Sequence, residues 1–178
     1  MNEFLTDVET LRQRARAQLE QGPITDAYTA DRERVIQVMN EALATELVCV
    51  LRYKRHYFSA QGLGLNSQPV AAEFLQHANE EAQHADLIAE RITQLQGEPD
   101  FNPDTLTKRS HAEYVAPERL IEMVKEDLVA ERIAIESYSE IIRWLGDNDP
   151  TSRRMFETIL AVEEEHADDL VGLLADMK

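Results

Sequence analysis

The sequence is poor in cysteine, in basic residues and in long apolar runs, and each shortage excludes a class of protein. One cysteine, Cys49, cannot form an internal disulfide, so we expect a reducing, cytoplasmic location. Eighteen basic residues against 34 acidic ones give a formal net charge of −16, and nucleic-acid binding is not expected because it needs clustered lysine and arginine. No run of about eighteen apolar residues occurs, so no membrane span is expected. The first twenty residues are charged throughout and lack the apolar centre of a secretory signal.

Only six glycines and six prolines interrupt the 178 residues, and their positions divide the chain into long helical stretches. A short amphipathic helix is predicted over residues 5–20, followed by an extended link. Longer helices are predicted over residues 31–61, 68–96, 117–146 and 150–177, with Asp149 as the cap of the last. Two connections are short, and the third is long enough to cross a bundle. We therefore expect an all-α fold: a four-helix bundle with one long crossover at residues 31–178, preceded by a helical extension at residues 1–30.

Each long helix has an apolar seam that a glutamate interrupts near its middle. In the second and fourth helices a histidine follows that glutamate by three residues. The interrupting residues are Glu46, Glu81, His84, Glu131, Glu163 and His166. Residues i and i+3 are neighbours on a helix, so each Glu-x-x-His pair presents an oxygen and a nitrogen to one point. Buried carboxylates facing one another are unfavourable, and a pair of divalent cations removes that cost.

The two halves of the chain both contain Glu, Tyr and Glu-x-x-His in the same order. This repeat makes a chance occurrence of the Glu-x-x-His motif less plausible. Tyr53 lies seven residues after Glu46, and Tyr138 lies seven residues after Glu131. In the alternative reading, glutamate and histidine lie on polar helix faces, but the seam assignment would then have to fail on four helices. The chain therefore consists of two similar helix pairs around a di-metal centre. Mixed oxygen and imidazole ligands suit iron or manganese, and zinc would also bind.

At these residues the sequence resembles the bacterioferritin family of the ferritin-like superfamily. The segments that carry the resemblance are ELVCVLRYKRHYF, EEAQHAD, EDLVAERIA and ILAVEEEHADDL, within residues 31–177. The resemblance implies a ferritin-like bundle that binds two iron ions in each subunit. It also implies a ferroxidase that oxidises Fe²⁺ with O₂ or H₂O₂ at a site within one subunit and stores or detoxifies the iron.

The resemblance further implies roles for individual side chains. Glu81 and Glu163 would bridge the two irons. Glu46 and His84 would complete one iron, and Glu131 and His166 would complete the other. Tyr53 matches a tyrosine beside the family's site, as a redox or hydrogen-bonding partner. From the seams alone, Asp127 and Tyr138 are expected beside the ligands, with Asp127 accepting a hydrogen bond from a ligand histidine. His56 and His77 have no matching acidic partners in the pattern, so surface or interface roles are expected for both.

Two departures from the family pattern change the expected cofactor and assembly. Bacterioferritins bind haem through a methionine directly after the glutamate that matches Glu81, and this chain has Ala82 there, so no haem is expected. Family members also carry a short fifth helix in a shell of 24 subunits. This sequence ends twelve residues after His166, which leaves no room for that helix. The outline is closer to Dps-like shells, so a homo-oligomeric shell of 12 subunits is favoured over 24.

Two other functions are open on the same bundle. One is a di-iron or di-manganese redox enzyme, of oxygenase, peroxidase or catalase type, that does not store iron. The other is a non-enzymatic metal-buffering or scaffold protein. A single cysteine excludes the cysteine-rich iron module usual in peroxide-reducing rubrerythrins, and nothing in the sequence indicates an oxygenase substrate pocket. A ferroxidase with Fe²⁺ and O₂ or H₂O₂ as its partners is the favoured interpretation.

Overall fold

Helices make up all the regular secondary structure of residues 6–177, the part of the chain that the computed structural model describes. The α-helices are α1 (Val8–Ala17), α2 (Arg32–Gln61), α3 (Gln68–Gln94), α4 (Leu106–Arg109), α5 (Leu120–Leu145) and α6 (Pro150–Asp176). Short 3₁₀ turns at Leu19–Gln21 and Leu65–Ser67 precede α2 and α3. The all-α class predicted from the sequence is confirmed. Residue 5, where the first helix was expected to begin, lies outside the described residues.

Side-chain caps explain where two of the long helices begin. The Asp31 carboxylate accepts a hydrogen bond from the Arg34 amide at 3.2 Å, and α2 starts at the next residue. Asp149 accepts a hydrogen bond from the Ser152 amide at 2.9 Å, and Pro150 is the first residue of α6. Such caps satisfy amide donors that the first turn of a helix leaves unpaired. Both helix starts agree with the positions predicted from the sequence.

The prediction that the third long helix begins at Pro117 is wrong. That helix, α5, begins at Leu120, because the capping residue Arg119 has an extended backbone with φ −87° and ψ 138°. The Pro117 carbonyl oxygen accepts a hydrogen bond from the Arg55 guanidinium of α2. This contact holds Pro117 against the bundle as the end of the crossover, so α5 loses its expected first turn.

The four long helices form two antiparallel pairs, α2 with α3 and α5 with α6, and α2 also lies beside α5 and α3 beside α6. The segment between α3 and α5 is the long crossover, and its short helix α4 packs against α2. Arg109 of α4 donates to the Asn40 carbonyl at 3.0 Å and to the Asp100 carbonyl at 2.9 Å. The predicted bundle with one long crossover is therefore confirmed.

Two apolar clusters fill the bundle, one toward each end. One contains Met39, Ile88 and Ile159, and the other contains Phe74 and Leu170. Along each long helix, the residues between the two clusters are the glutamates and histidines that interrupt the predicted seams. Burial of each large apolar side chain contributes about 1.5–3 kcal/mol, so the clusters stabilise the fold on both sides of a polar layer. The candidate functional site lies in this layer.

A buried ion pair at one end of the bundle also binds the N-terminal segment. Arg91 of α3 lies 3.0 Å from the Asp149 carboxylate and donates to the Ser152 hydroxyl at 2.9 Å. The Tyr28 hydroxyl donates to the same carboxylate at 3.1 Å. These contacts hold the link before α2 on the α5–α6 connection. The division of the chain at residue 30 stays a prediction. None of the described helices is long and apolar enough to cross a membrane.

Candidate metal centre

The six predicted ligands converge in the middle of the bundle, one or two from each long helix. All are buried, with at most 5% of any residue exposed. Their ligand atoms form two groups, and the atoms within each group lie within 4.8 Å of one another. The groups are Glu46, Glu81, His84 and Glu163, and Glu81, Glu131, Glu163 and His166. Two carboxylates, Glu81 and Glu163, are therefore common to both groups.

Both histidines present Nδ1 to the carboxylates. His84 Nδ1 lies 3.0 Å from Glu163 Oε1, 3.4 Å from Glu46 Oε2 and 3.7 Å from Glu81 Oε2. His166 Nδ1 lies 3.5 Å from Glu81 Oε1 and 3.8 Å from an oxygen of Glu163. The centroids of the two imidazole rings are 6.3 Å apart. The two histidines thus approach the shared carboxylates from separate positions.

Each of the six residues contributes one buried polar atom that has no hydrogen-bond partner. These atoms are Glu46 Oε2, Glu81 Oε1, His84 Nδ1, Glu131 Oε2, Glu163 Oε1 and His166 Nδ1. A buried polar atom without a partner costs about 1–3 kcal/mol, so six of them at one place would be strongly destabilising unless they shared a partner. Divalent transition-metal ions bind carboxylate oxygen and imidazole nitrogen together. The donor set therefore fits two such ions.

The electrostatics of the centre also favour cations. Burial raises the pKa of Glu81 well above its usual value, and the charge of Glu46 raises it further. Burial likewise raises the pKa of Glu163, and the charge of Glu81 adds to the effect. Burial alone would lower the pKa of His84, but its carboxylate neighbours, Glu163 foremost, raise it to about 12. Positive charge placed among these groups relieves both the burial cost and the mutual repulsion.

Two buried tyrosines hold the two carboxylates that belong to only one ligand group each, those of Glu46 and Glu131. The Tyr53 hydroxyl donates a hydrogen bond to Glu131, and the Tyr138 hydroxyl donates one to Glu46. Each tyrosine therefore bonds the glutamate of the other helix pair, across the α2–α5 contact, and not the glutamate seven residues before it. In both glutamates the oxygen that the tyrosine does not bond, Oε2, is the one without a hydrogen-bond partner. The tyrosines orient these carboxylates toward the centre.

Glu80 orients one of the two histidines. Its carboxylate accepts a hydrogen bond from His166 Nε2 at 2.8 Å. With its hydrogen on Nε2, a neutral imidazole directs the lone pair of Nδ1 at the carboxylates of the centre. Glu80 is turned about 100° around the axis of α3 from Glu81, so helix geometry alone does not direct it at the centre. It reaches His166 because α6 lies beside α3.

The expected hydrogen bond between Asp127 and a ligand histidine is wrong. Asp127 is 1% exposed, but its carboxylate lies 2.7 Å from His56 Nδ1 and 3.2 Å from Arg52 Nη2. The expected surface or interface role of His56 and His77 is also wrong, since both are fully buried. Sequence reasoning missed this network because its members lie on different helices. The one available signal was the i, i+4 spacing of Arg52 and His56 on α2.

Known proteins match this chain over most of its length. The family model for the ferritin-like domain matches residues 36–178, which include all six residues of the centre. Bacterioferritin from Brucella melitensis is 33% identical over 144 residues, covering 77% of this chain and 80% of that protein. Bacterioferritin from Desulfovibrio desulfuricans is 29% identical over 134 residues, covering 75% of this chain and 70% of that protein.

Solved structures show the same architecture. A dodecameric thioferritin, the bacterioferritin-related protein from Bacteroides fragilis, has a TM-score of 0.79 at 32% identity and covers 84% of this chain and 89% of that chain. Dps from Thermosynechococcus elongatus has a TM-score of 0.74 at 18% identity, over 80% of this chain and 90% of that chain, which is a likeness of fold alone. The resemblance inferred from the sequence is confirmed, and the chain belongs to the ferritin-like family as a bacterioferritin-like member.

Proposed function

We propose that this protein is a ferroxidase that also stores or detoxifies iron. The observation that carries the proposal is the set of six buried ligand atoms without hydrogen-bond partners, in two groups that share Glu81 and Glu163. Membership of the ferritin-like family and similarity to bacterioferritins support iron storage and ferroxidase activity in general. The site within one subunit and the use of O₂ or H₂O₂ are the more specific parts of the proposal.

In this proposal two Fe²⁺ ions are the substrate. Glu81 and Glu163 bridge them, and the terminal pairs are Glu46 with His84 and Glu131 with His166. Each Fe²⁺ supplies one electron, so that a pair reduces O₂ to the level of hydrogen peroxide, or H₂O₂ to water. Six protein ligands shared by two ions leave coordination positions open for the oxidant.

The protein's own groups have three tasks in this reaction. The hydroxyls of Tyr53 and Tyr138 hold the two terminal carboxylates, so that each keeps one oxygen free for iron. Glu80 holds His166 in the tautomer that binds through Nδ1. The apolar clusters on both sides limit access of water to the polar layer. Manganese or zinc would fit the same donors.

We further propose a homo-oligomeric shell, with twelve subunits favoured over 24. Large apolar side chains on the bundle surface support assembly, among them Leu51, Phe58 and Trp144, which are 52%, 67% and 46% exposed. The similar thioferritin is a dodecamer. Native mass spectrometry measures the subunit number directly. A monomer or dimer would contradict the shell and would favour a redox enzyme that does not store iron.

Stopped-flow absorbance tests the ferroxidase. The protein is loaded anaerobically with two Fe²⁺ per subunit and mixed with O₂ or, separately, with H₂O₂. We expect a fast ferric signal that is lost in Glu81→Ala. The matched control is Glu90→Ala, which removes an exposed carboxylate from the same helix. The absence of a fast ferric signal in the wild type, or an equal rate in Glu81→Ala, would overturn the proposal.

A further inference from the structure

A second cluster of potential ligands lies outside the six-residue centre, where α3 faces α6. His77 Nε2 is 3.3 Å from Glu73 Oε1 and 3.7 Å from Asp169 Oδ2. The histidine side chain is fully buried, whereas the side chains of Glu73 and Asp169 are 29% and 42% exposed. The ligand atoms of the three residues all lie within 4.8 Å of one another. The cluster therefore consists of one buried imidazole nitrogen and two partly exposed carboxylates close to it.

That nitrogen has no hydrogen-bond partner. Nε2 of His77 is buried and has no hydrogen-bond partner, although Glu73 Oε1 lies 3.3 Å away. The other ring nitrogen, Nδ1, lies 3.2 Å from the Tyr53 hydroxyl oxygen. Tyr53 donates its only hydroxyl hydrogen to Glu131, so its oxygen accepts from His77 Nδ1–H. A neutral imidazole with its hydrogen on Nδ1 has a bare lone pair on Nε2.

The direction of this lone pair is set by packing. The His77 ring stacks on the His166 ring, with centroids 3.9 Å apart and an angle of 19° between the planes. The His77 and Tyr53 rings are perpendicular, with centroids 5.2 Å apart and an angle of 90° between the planes. Glu73 lies one turn before His77 on the same face of α3. The imidazole cannot turn away from the carboxylates without losing these contacts.

The three groups repel one another unless a positive charge lies among them. A lone pair and two carboxylates all present electron density to the same point. Burial raises the pKa of Glu73, and the charge of Asp169 raises it further, which agrees with such crowding. One nitrogen and two carboxylate donors suit first-row divalent transition ions, and the exposed side leaves room for water ligands.

We propose that Glu73, His77 and Asp169 form a third divalent-cation site, separate from the six-residue centre. The site binds Fe²⁺, and Zn²⁺ serves as a probe that does not change oxidation state. A cation on Nε2 polarises the imidazole and strengthens the hydrogen bond from Nδ1 to Tyr53. Binding of a cation at the third site therefore changes the hydrogen bonding of Tyr53, the tyrosine that orients Glu131. The site does not depend on whether the six-residue centre oxidises iron.

Equilibrium binding of Zn²⁺ to the assembled protein tests the site. We expect three tightly bound Zn²⁺ per subunit in the wild type and two in the double variant Glu73→Gln/Asp169→Asn. The matched control, Glu90→Gln/Asp168→Asn, neutralises one exposed glutamate on α3 and one exposed aspartate on α6, and it should keep three. Two ions in the wild type, or three in the first double variant, would overturn the proposal.

Two further measurements separate this site from the proposed ferroxidase centre. Glu81→Ala should lose the ions of the centre and keep the one bound by His77, whereas three ions in that variant would count against the centre and not against the third site. The anomalous signal of Zn²⁺ in crystals of the wild type requires no variant to fold. We expect a peak among Glu73, His77 and Asp169, and no peak there would refute the site.

Discussion

Glu81 belongs to both ligand groups, so replacing it with glutamine should change stability in opposite directions with and without metal. In metal-free protein its buried Oε1 has no hydrogen-bond partner, and burial, together with the charge of Glu46, disfavours the ionised form of the Glu81 carboxyl. Glutamine has nearly the same shape, carries no charge and can donate to a neighbouring carboxylate. Relief of one unsatisfied buried group is worth about 1–3 kcal/mol. For a chain of this size, each kcal/mol should raise Tm by roughly 2–4 °C.

Divalent cations should make the wild type more stable than Glu81→Gln, the reverse of the order in metal-free protein. Ligand at a hundred times its dissociation constant stabilises a folded protein by about 2.7 kcal/mol per site. If the centre binds two ions as proposed, the wild type should gain this stabilisation twice, whereas Glu81→Gln replaces a carboxylate common to both ligand groups with a neutral amide. We therefore expect the wild type to be the less stable protein in a chelator and the more stable one in excess Zn²⁺.

Thermal unfolding followed by circular dichroism, first in EDTA and then in excess Zn²⁺, measures both effects. The control Glu90→Gln makes the same chemical change at an exposed position of α3 and should follow the wild type in both conditions. The reasoning is refuted if Glu81→Gln is less stable than the wild type in EDTA. Equal stabilisation of the two proteins by Zn²⁺ would refute it as well.

Three other substitutions address the surroundings of the centre and the end of the bundle. Asp127→Ala leaves Arg52 buried without its carboxylate and should lower the free energy of unfolding by about 3–5 kcal/mol in urea titrations, whereas a loss below 1 kcal/mol would contradict a buried ion pair. Tyr53→Phe should bind Zn²⁺ with unchanged stoichiometry but oxidise Fe²⁺ about tenfold more slowly, the equivalent of one hydrogen bond; an unchanged rate would argue against an orienting role. Burial alone would raise the pKa of Asp149, but hydrogen bonds from Ser152 hold it below its usual value. The stabilisation it provides is therefore present above the unfolded pKa of about 3.9 and lost as pH falls through the folded value, so Asp149→Asn should flatten the acid side of the Tm–pH curve.

The six residues of the centre were predictable because their signal is local. Glu163 and His166 are one helical turn apart, so the spacing alone places their side chains on one face. The apolar residues around them identify that face as buried. The caps of α2 and α6 were predictable for the same reason, since Asp31 and Asp149 bond amides only three residues away.

The supporting contacts were not predictable because their partners are far apart in the chain. Tyr53 was expected beside the centre, but its partner Glu131 is 78 residues away. Asp127 was expected to face a ligand, yet it bonds His56 across the α2–α5 contact at 2.7 Å. Pro117 has the local pattern of a helix start, but Arg55 of another helix holds it outside α5.

The sequence by itself determined the bundle, its crossover and the six residues of the polar layer, because helical periodicity acts over a few residues. The tertiary structure decided which carboxylate each tyrosine holds and that Glu80 orients His166. It also decided that His77 is a buried residue facing Glu73 and Asp169. These pairings depend on how the helices are placed against one another, which is set by packing across the whole core and not by the spacing within any one helix.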